Sequence, residues 1–201
     1  MSSGLRPWAG TAVLVGVTLF VATVAVLHFV QPAYEPTHQL MSELALGPFG
    51  WAMVIAFAAL AVAVLGVQAA IAISGASRWL RLLLAASALS FLAAGIFPLG
   101  ATSEIHIAAI ATAFVLSVLA MYLFPSGAGY AAAAAPRSIS WPLAAGVAAS
   151  VLLGQSVLPM GIGQRLAALC LVLWLAVLGW RFAQGRYAAQ QPDAADAKAR
   201  G

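Results

Sequence analysis

Six apolar runs, each close to the ~20 residues that cross a ~30 Å hydrocarbon core, dominate this 201-residue sequence: 8–30, 49–73, 79–97, 105–124, 141–158 and 162–182. A chain in lipid satisfies its backbone hydrogen bonds within a helix or around a closed barrel, and none of these runs alternates with the period of a barrel strand. Helices are therefore expected. Composition excludes a soluble domain, because only 7% of the residues are charged and 64% are hydrophobic, against about 25% charged in an ordinary globular protein. The expected fold is an all-α membrane protein, a six-transmembrane-helix bundle with no room for a separate soluble domain. Trp8, Trp51, Trp79 and Trp141 stand near span starts, at the depth where an amphipathic ring meets the headgroups. The first run is too long for the apolar core of a secretory signal, and Leu27-His28-Phe29-Val30 offers no small-residue cleavage site, so it is read as an uncleaved helix.

Basic residues set the orientation. Arg6, Arg78, Arg81, Arg137, Arg181, Arg186, Lys198 and Arg200 fall on alternate loops and on both tails, which places those segments in the cytoplasm and gives an N-in, C-in topology. The expected organisation is a cytoplasmic N-terminus over 1–7, a transmembrane domain over 8–183 and a disordered cytoplasmic tail over 184–201. The net charge of +4 is thus an orientation signal, and no nucleic-acid partner is expected. The Ala-rich stretch within 126–140 reads as a flexible, low-complexity connector. Cys170 lies inside an apolar run and suggests neither a disulfide nor a thiolate metal site.

The three acids outside the C-terminal tail, Glu35, Glu43 and Glu104, and all three histidines, His28, His38 and His106, gather on the extracytoplasmic side. Arg165 joins them at the start of the sixth span, against the charge rule and against the helix dipole. Two unfavourable placements imply a partner, and an ion pair with Glu43 is the structural candidate. The first outer loop reads as a short amphipathic helix over 37–46, bracketed by Pro36 and Gly47-Pro48, with Thr37 as N-cap. Helical spacing puts His38 with Ser42 on one face and Gln39 with Glu43 on another. Each residue also has a structural role open to it. Glu104 can cap the fourth span, His28 can sit at the interface, and His106 can be a hydrogen-bonded core histidine. Gly146, Ser150 and Gly154 form a small-residue stripe that suits close helix packing. No midplane acid or base supports a proton relay, and no haem or nucleotide signature is present.

Four motifs carry a resemblance: Thr37-His38-Gln39-Leu40-Met41-Ser42-Glu43-Leu44 before the second span, Gly95-Ile96-Phe97-Pro98 ending the third, Glu104-Ile105-His106 opening the fourth, and Gly161-Ile162-Gly163-Gln164-Arg165 opening the sixth. In this order they resemble an uncharacterised bacterial and archaeal membrane family catalogued as domain of unknown function 998, over about residues 10–183. The resemblance implies a compact six-helix bundle in a prokaryotic inner (plasma) membrane, with an outer polar cluster of Ser42, Glu43, His106 and Arg165. More distantly the chain resembles eukaryotic six-helix proteins linked to lipid handling. It departs from the family pattern in having Leu99-Gly100 where an acid usually follows the Phe-Pro, with Glu104 the candidate substitute one turn later.

Three functions follow as expectations. The first is an enzyme acting on a lipid or lipid headgroup, with Glu43, His106, His38 and Ser42 as catalytic groups, and Arg165, Glu104 and Gln164 binding substrate. Its possible cofactor is one divalent metal, for which His38, His106, Glu43 and Glu104 are the candidate ligands. The second is a non-catalytic lipid-binding or assembly protein, its partners membrane lipids and other membrane proteins, in which Glu43–Arg165 is structural. The third is a small-solute transporter or channel.

Overall fold

A computed structural model describes residues 7–185, so residues 1–6 of the expected N-terminal segment and 186–201 of the expected tail lie outside the described residues. The described chain is helical, with no strand: α1 Pro7–Val30, α2 Ala52–Ile71, α3 Arg78–Ile96, α4 Ser103–Gly127, α5 Arg137–Leu153 and α6 Met160–Ala183, with 3₁₀ segments at Met41–Leu46 and Gly129–Ala134. Five of the six helices are long and apolar enough to cross a membrane, and α5 is a shorter apolar helix of 17 residues. At 1.5 Å per residue, α5 is about 26 Å long. The chain is a multi-pass membrane protein.

Helix boundaries depart from the apolar runs where backbone chemistry intervenes. The second helix starts at Ala52 rather than 49, because Phe49 takes a left-handed conformation (φ 61°) in the preceding turn. The fifth helix begins directly after Pro136 and ends at Leu153, so residues 154–158 of the expected span lie outside it.

Consecutive helices pack side by side and α6 closes on α1, forming a ring around a core of Val13, Phe57, Phe91, Leu171 and Trp174. Lipid is as apolar as the core, so close backbone approach and a few polar contacts set the packing. A Cβ on Gly16 of α1 would stand 2.5 Å from the Ala59 carbonyl oxygen and 2.9 Å from the Ala63 nitrogen of α2. The stripe on α5 faces α6: Gly154 meets Gly163 backbone to backbone, and Gly146 meets Cys170. Inside the bundle, Ser87 of α3 hydrogen-bonds Ser117 of α4 at 2.9 Å, and Trp174 Nε1 donates to Ser140 at 3.0 Å.

The Ala-rich stretch corrects the expectation of a flexible connector. Ala128, Ala131, Ala134 and Ala135 are fully buried. Ser74 Oγ donates to Ala128 O, Ser77 N to Gly127 O, and Arg181 Nη1 to Ala134 O. Methyl side chains let a 3₁₀ coil fold flat beneath the helices, and its carbonyls find donors on the α2–α3 turn and on α6.

Gly16→Ala is expected to cost about 1–3 kcal/mol, because the new methyl meets backbone that cannot rotate away. Gly146→Ala is expected to be near neutral, since its neighbour is the movable Cys170 Sγ and the gain in helix propensity of about 0.8–1.0 kcal/mol offsets the crowding. Thermal unfolding of the two variants in detergent compares them directly.

Candidate functional site

The polar residues singled out above lie at the end of the bundle that carries residues 31–51, and the structure sorts them into separate groups. The first is centred on Arg165. Its Nη1 donates to Gln39 O (3.0 Å) and Gly161 O (2.9 Å), and its Nη2 to His28 Nε2 (3.0 Å) and the Tyr34 hydroxyl. His28 Nδ1 lies 2.6 Å from Val24 O; a carbonyl only accepts, so the proton is on Nδ1 and Nε2 is free to receive the guanidinium. Tyr34 Oη in turn donates to Leu40 O (2.9 Å). Burial, only partly offset by Arg165, raises the Tyr34 pKa above its ordinary value of 10, so the phenol stays neutral. Four of the five guanidinium N–H groups are therefore held by uncharged acceptors.

This corrects the expected Glu43–Arg165 ion pair. Among the described residues the only contact of a basic side chain with a carboxylate is the hydrogen bond between His38 Nδ1 and Glu35 Oε2 at 2.6 Å. Glu43 serves its own turn: Oε1 accepts from Leu40 N (2.8 Å) and Oε2 from Gln39 Nε2 (3.2 Å), the acid half of a capping box.

The expected 37–46 helix is corrected as well. Leu40 is extended (φ −67°, ψ 146°), so the segment breaks into a turn over 36–39 and the 3₁₀ segment from Met41. The break separates His38 from Ser42. His38 is exposed and Ser42 buried, and no hydrogen bond links Ser42 to a histidine. The expected Thr37 cap is replaced by Glu35, whose carboxylate accepts from Thr37 N (3.1 Å) and His38 N (2.9 Å). Hydrogen bonding from the His38 ring, then from Thr37, holds the Glu35 pKa down at about 2.

The Gly161–Arg165 motif now has a role at each position. Gly161 lets the carbonyls of Pro36, Thr37 and Gln39 approach the start of α6, where a Cβ would stand 2.5–2.7 Å from them. Ile162 N donates to Thr37 O, Gly163 packs on Gly154, and Gln164 Oε1 accepts from Met41 N at 2.6 Å. Gln31, whose role sequence reasoning missed, pins the far side by donating to Leu44 O and Pro48 O. A polar residue directly after an apolar run was the available signal.

His106 belongs to a different group. It is 1% exposed, with Nδ1 2.8 Å from Ala94 O and 3.1 Å from Phe97 O. Proline explains the arrangement. In an uninterrupted helix Ala94 O would accept from the N–H of residue 98, and Pro98 has none. The His106 ring supplies the missing donor, which ties the Phe97-Pro98 motif to the start of α4. Glu104, two residues earlier and so on another face of α4, is exposed. The four candidate metal ligands do not converge. Among the described residues no three His, Cys, Asp or Glu side chains form a group able to hold a metal ion, and no metal-dependent step is derived.

Two cavities lie beneath this end. One of about 20 Å³ sits under Met41, Ser42 and Gln164 among the phenylalanines of the core. The other, of about 80 Å³, is lined by Trp51, Val54, Pro98 and His106 among others, and Met53 and Phe57 border both.

Arg165→Lys is expected to destabilise the protein by about 1.5–3 kcal/mol, because a single ammonium cannot reach four acceptors spread around a planar fork; limited proteolysis of the 31–51 loop and thermal unfolding measure it. The folded Glu35 pKa lies below its ordinary 4.5. Support for the 36–39 turn is thus complete above about pH 4.5 and is lost as pH falls through about 2. The Thr37 and His38 amide resonances are expected to titrate over that range, and Glu35→Gln to remove the titration.

A profile of the family described as protein of unknown function DUF998 matches residues 14–181. No curated protein and no solved structure gives a significant match. The match runs from early in α1 to the last turn of α6, through every helix that builds the loop end, and the chain belongs to the DUF998 family.

Proposed function

We propose that this protein is a non-catalytic, lipid-binding membrane protein whose six helices all cross a prokaryotic plasma membrane, with the 31–51 loop outside and both termini in the cytoplasm. The distribution of basic residues supports the orientation, and the length of α5 lies within the range of crossing helices.

One observation carries the functional reading. Two of the polar groups expected to do chemistry are taken up in closing the bundle, with Arg165 bound to His28, Tyr34, Gln39 and Gly161 and Glu43 bound to Leu40 and Gln39. An enzyme needs its acid, base and substrate-holding cation within reach of one reacting centre. Here His38 is exposed beside Glu35 and His106 is buried at the end of α3. The loop covers the bundle end, while the larger cavity has Trp51, Val54 and Pro98 as exposed lining residues, so it opens on the flank where lipid lies.

Native mass spectrometry of protein released from lipid nanodiscs is expected to show retained lipid, and extracts are expected to show no lipid-modifying turnover. Turnover that Glu43→Gln abolishes in a folded protein would restore the enzyme. A reporter fused after Leu99 that proves cytoplasmic would overturn the orientation.

A further inference from the structure

One of the four acceptors that hold Arg165 can turn into a donor. The guanidinium Nη2 donates to His28 Nε2 at 3.0 Å, and the proton of the neutral ring is engaged at Nδ1, 2.6 Å from Val24 O. Both ring nitrogens are in use, and the bond to Arg165 exists only while Nε2 keeps its lone pair. The other acceptors do not change in mild acid: Gln39 O and Gly161 O are carbonyls, and the Tyr34 phenol has its pKa above 10. Imidazole is the side chain whose charge ordinarily changes between about pH 5 and 8.

A proton on Nε2 sets two donors and two positive charges against each other, a repulsion that at this separation is worth more than about tenfold in an equilibrium. No neighbouring group answers it. Helix α2, packed beside α1, has no ionisable residue over 52–71, and α6 brings Arg165 itself. The loop brings Tyr34, whose ring lies 5.1 Å from that of His28, and Glu35, which is bonded to His38. The 3₁₀ segment brings Glu43, whose oxygens accept from Leu40 N and Gln39 Nε2. Among the described residues no carboxylate touches His28 or Arg165.

The loop is held in two parts. Gln31 pins the later part through its uncharged amide, at Leu44 O and Pro48 O. The earlier part is tied to α6 by the Arg165 bonds, by Ile162 N to Thr37 O and by Met41 N to Gln164 Oε1. We propose that His28 is an acid-sensitive switch: protonation at Nε2 displaces the Arg165 guanidinium and releases residues 32–41 from the start of α6, while residues 44–48 stay pinned by Gln31. The released form takes up the proton that the closed form excludes, so acid favours release. The switch depends neither on the lipid-binding reading nor on the orientation in the membrane.

The test takes full-length protein in phosphatidylcholine nanodiscs from about pH 8 to about pH 5 and follows hydrogen exchange, each rate divided by that of an unstructured chain at the same pH. Protection of residues 34–41 and of Ile162 is expected to fall at least about tenfold, while that of α2 holds. In ¹⁵N-histidine-labelled protein the His28 Nε2 resonance, assigned by its loss in His28→Gln, is expected to report protonation over the same range. His28→Gln, whose amide oxygen accepts at every pH, is expected to abolish the pH dependence, and His38→Gln to leave it intact. If His28→Gln is released at both pH values, the coincidence of the two wild-type transitions decides. Protection that survives protonation of His28, a His28 resonance that does not move, a fall that extends to α2, a fall that His28→Gln retains or one that His38→Gln abolishes overturns the switch.

Discussion

A cation with no acid partner organises the loop end of this protein. Arg165 sits in the first turns of α6, where the helix dipole disfavours positive charge, and its guanidinium is stabilised by neutral groups: two carbonyls, an imidazole nitrogen and the phenol of Tyr34, whose ring centroid it also faces at 5.5 Å. Spreading the charge over four neutral acceptors places α1, the loop and α6 in one fixed relation. The rest of the closure follows from it. With Gln39 and Gly161 held together, Thr37 O reaches Ile162 N and Gln164 reaches Met41 N, and the 3₁₀ segment comes to rest across the core with Leu44 fully buried.

Such a closure leaves the acids with local work. Glu35 and Glu43 each collect backbone N–H groups of their own turns. A carboxylate satisfied by amides two or three residues away is a fold element, and its distance in sequence from Arg165 gives no hint of that. Glu35 and Glu43 thus bond within their own turns, while Arg165 bonds between α1, the loop and α6.

The sequence announced the helices, because a membrane helix needs an uninterrupted apolar run and leaves that mark whatever it packs against. It announced the polar end for a related reason: in a chain this poor in charge, Arg165 and the three histidines had to be accommodated somewhere. The partners stayed hidden. Arg165 binds mainly to backbone carbonyls and neutral side chains, which carry no charge pattern to search for, so Glu43 looked the better match. The bond from His106 to Ala94 was in principle readable from Pro98, whose missing N–H leaves a carbonyl four residues earlier in need of a donor. The burial of Ala128, Ala131, Ala134 and Ala135 was not, since a run of alanines looks the same in a flexible loop and in a tightly packed coil.

The way α3 ends ties it to the helix that follows. Pro98 leaves Ala94 O without the donor a continued helix would give it, and the next helix supplies one through His106. The third and fourth helices are joined by just residues 97–102, so donor and acceptor are close in sequence as well as in space. Pro98 and His106 are therefore coupled positions: the imidazole on α4 answers the carbonyl that the proline leaves without a donor on α3, and neither residue's place is explained without the other.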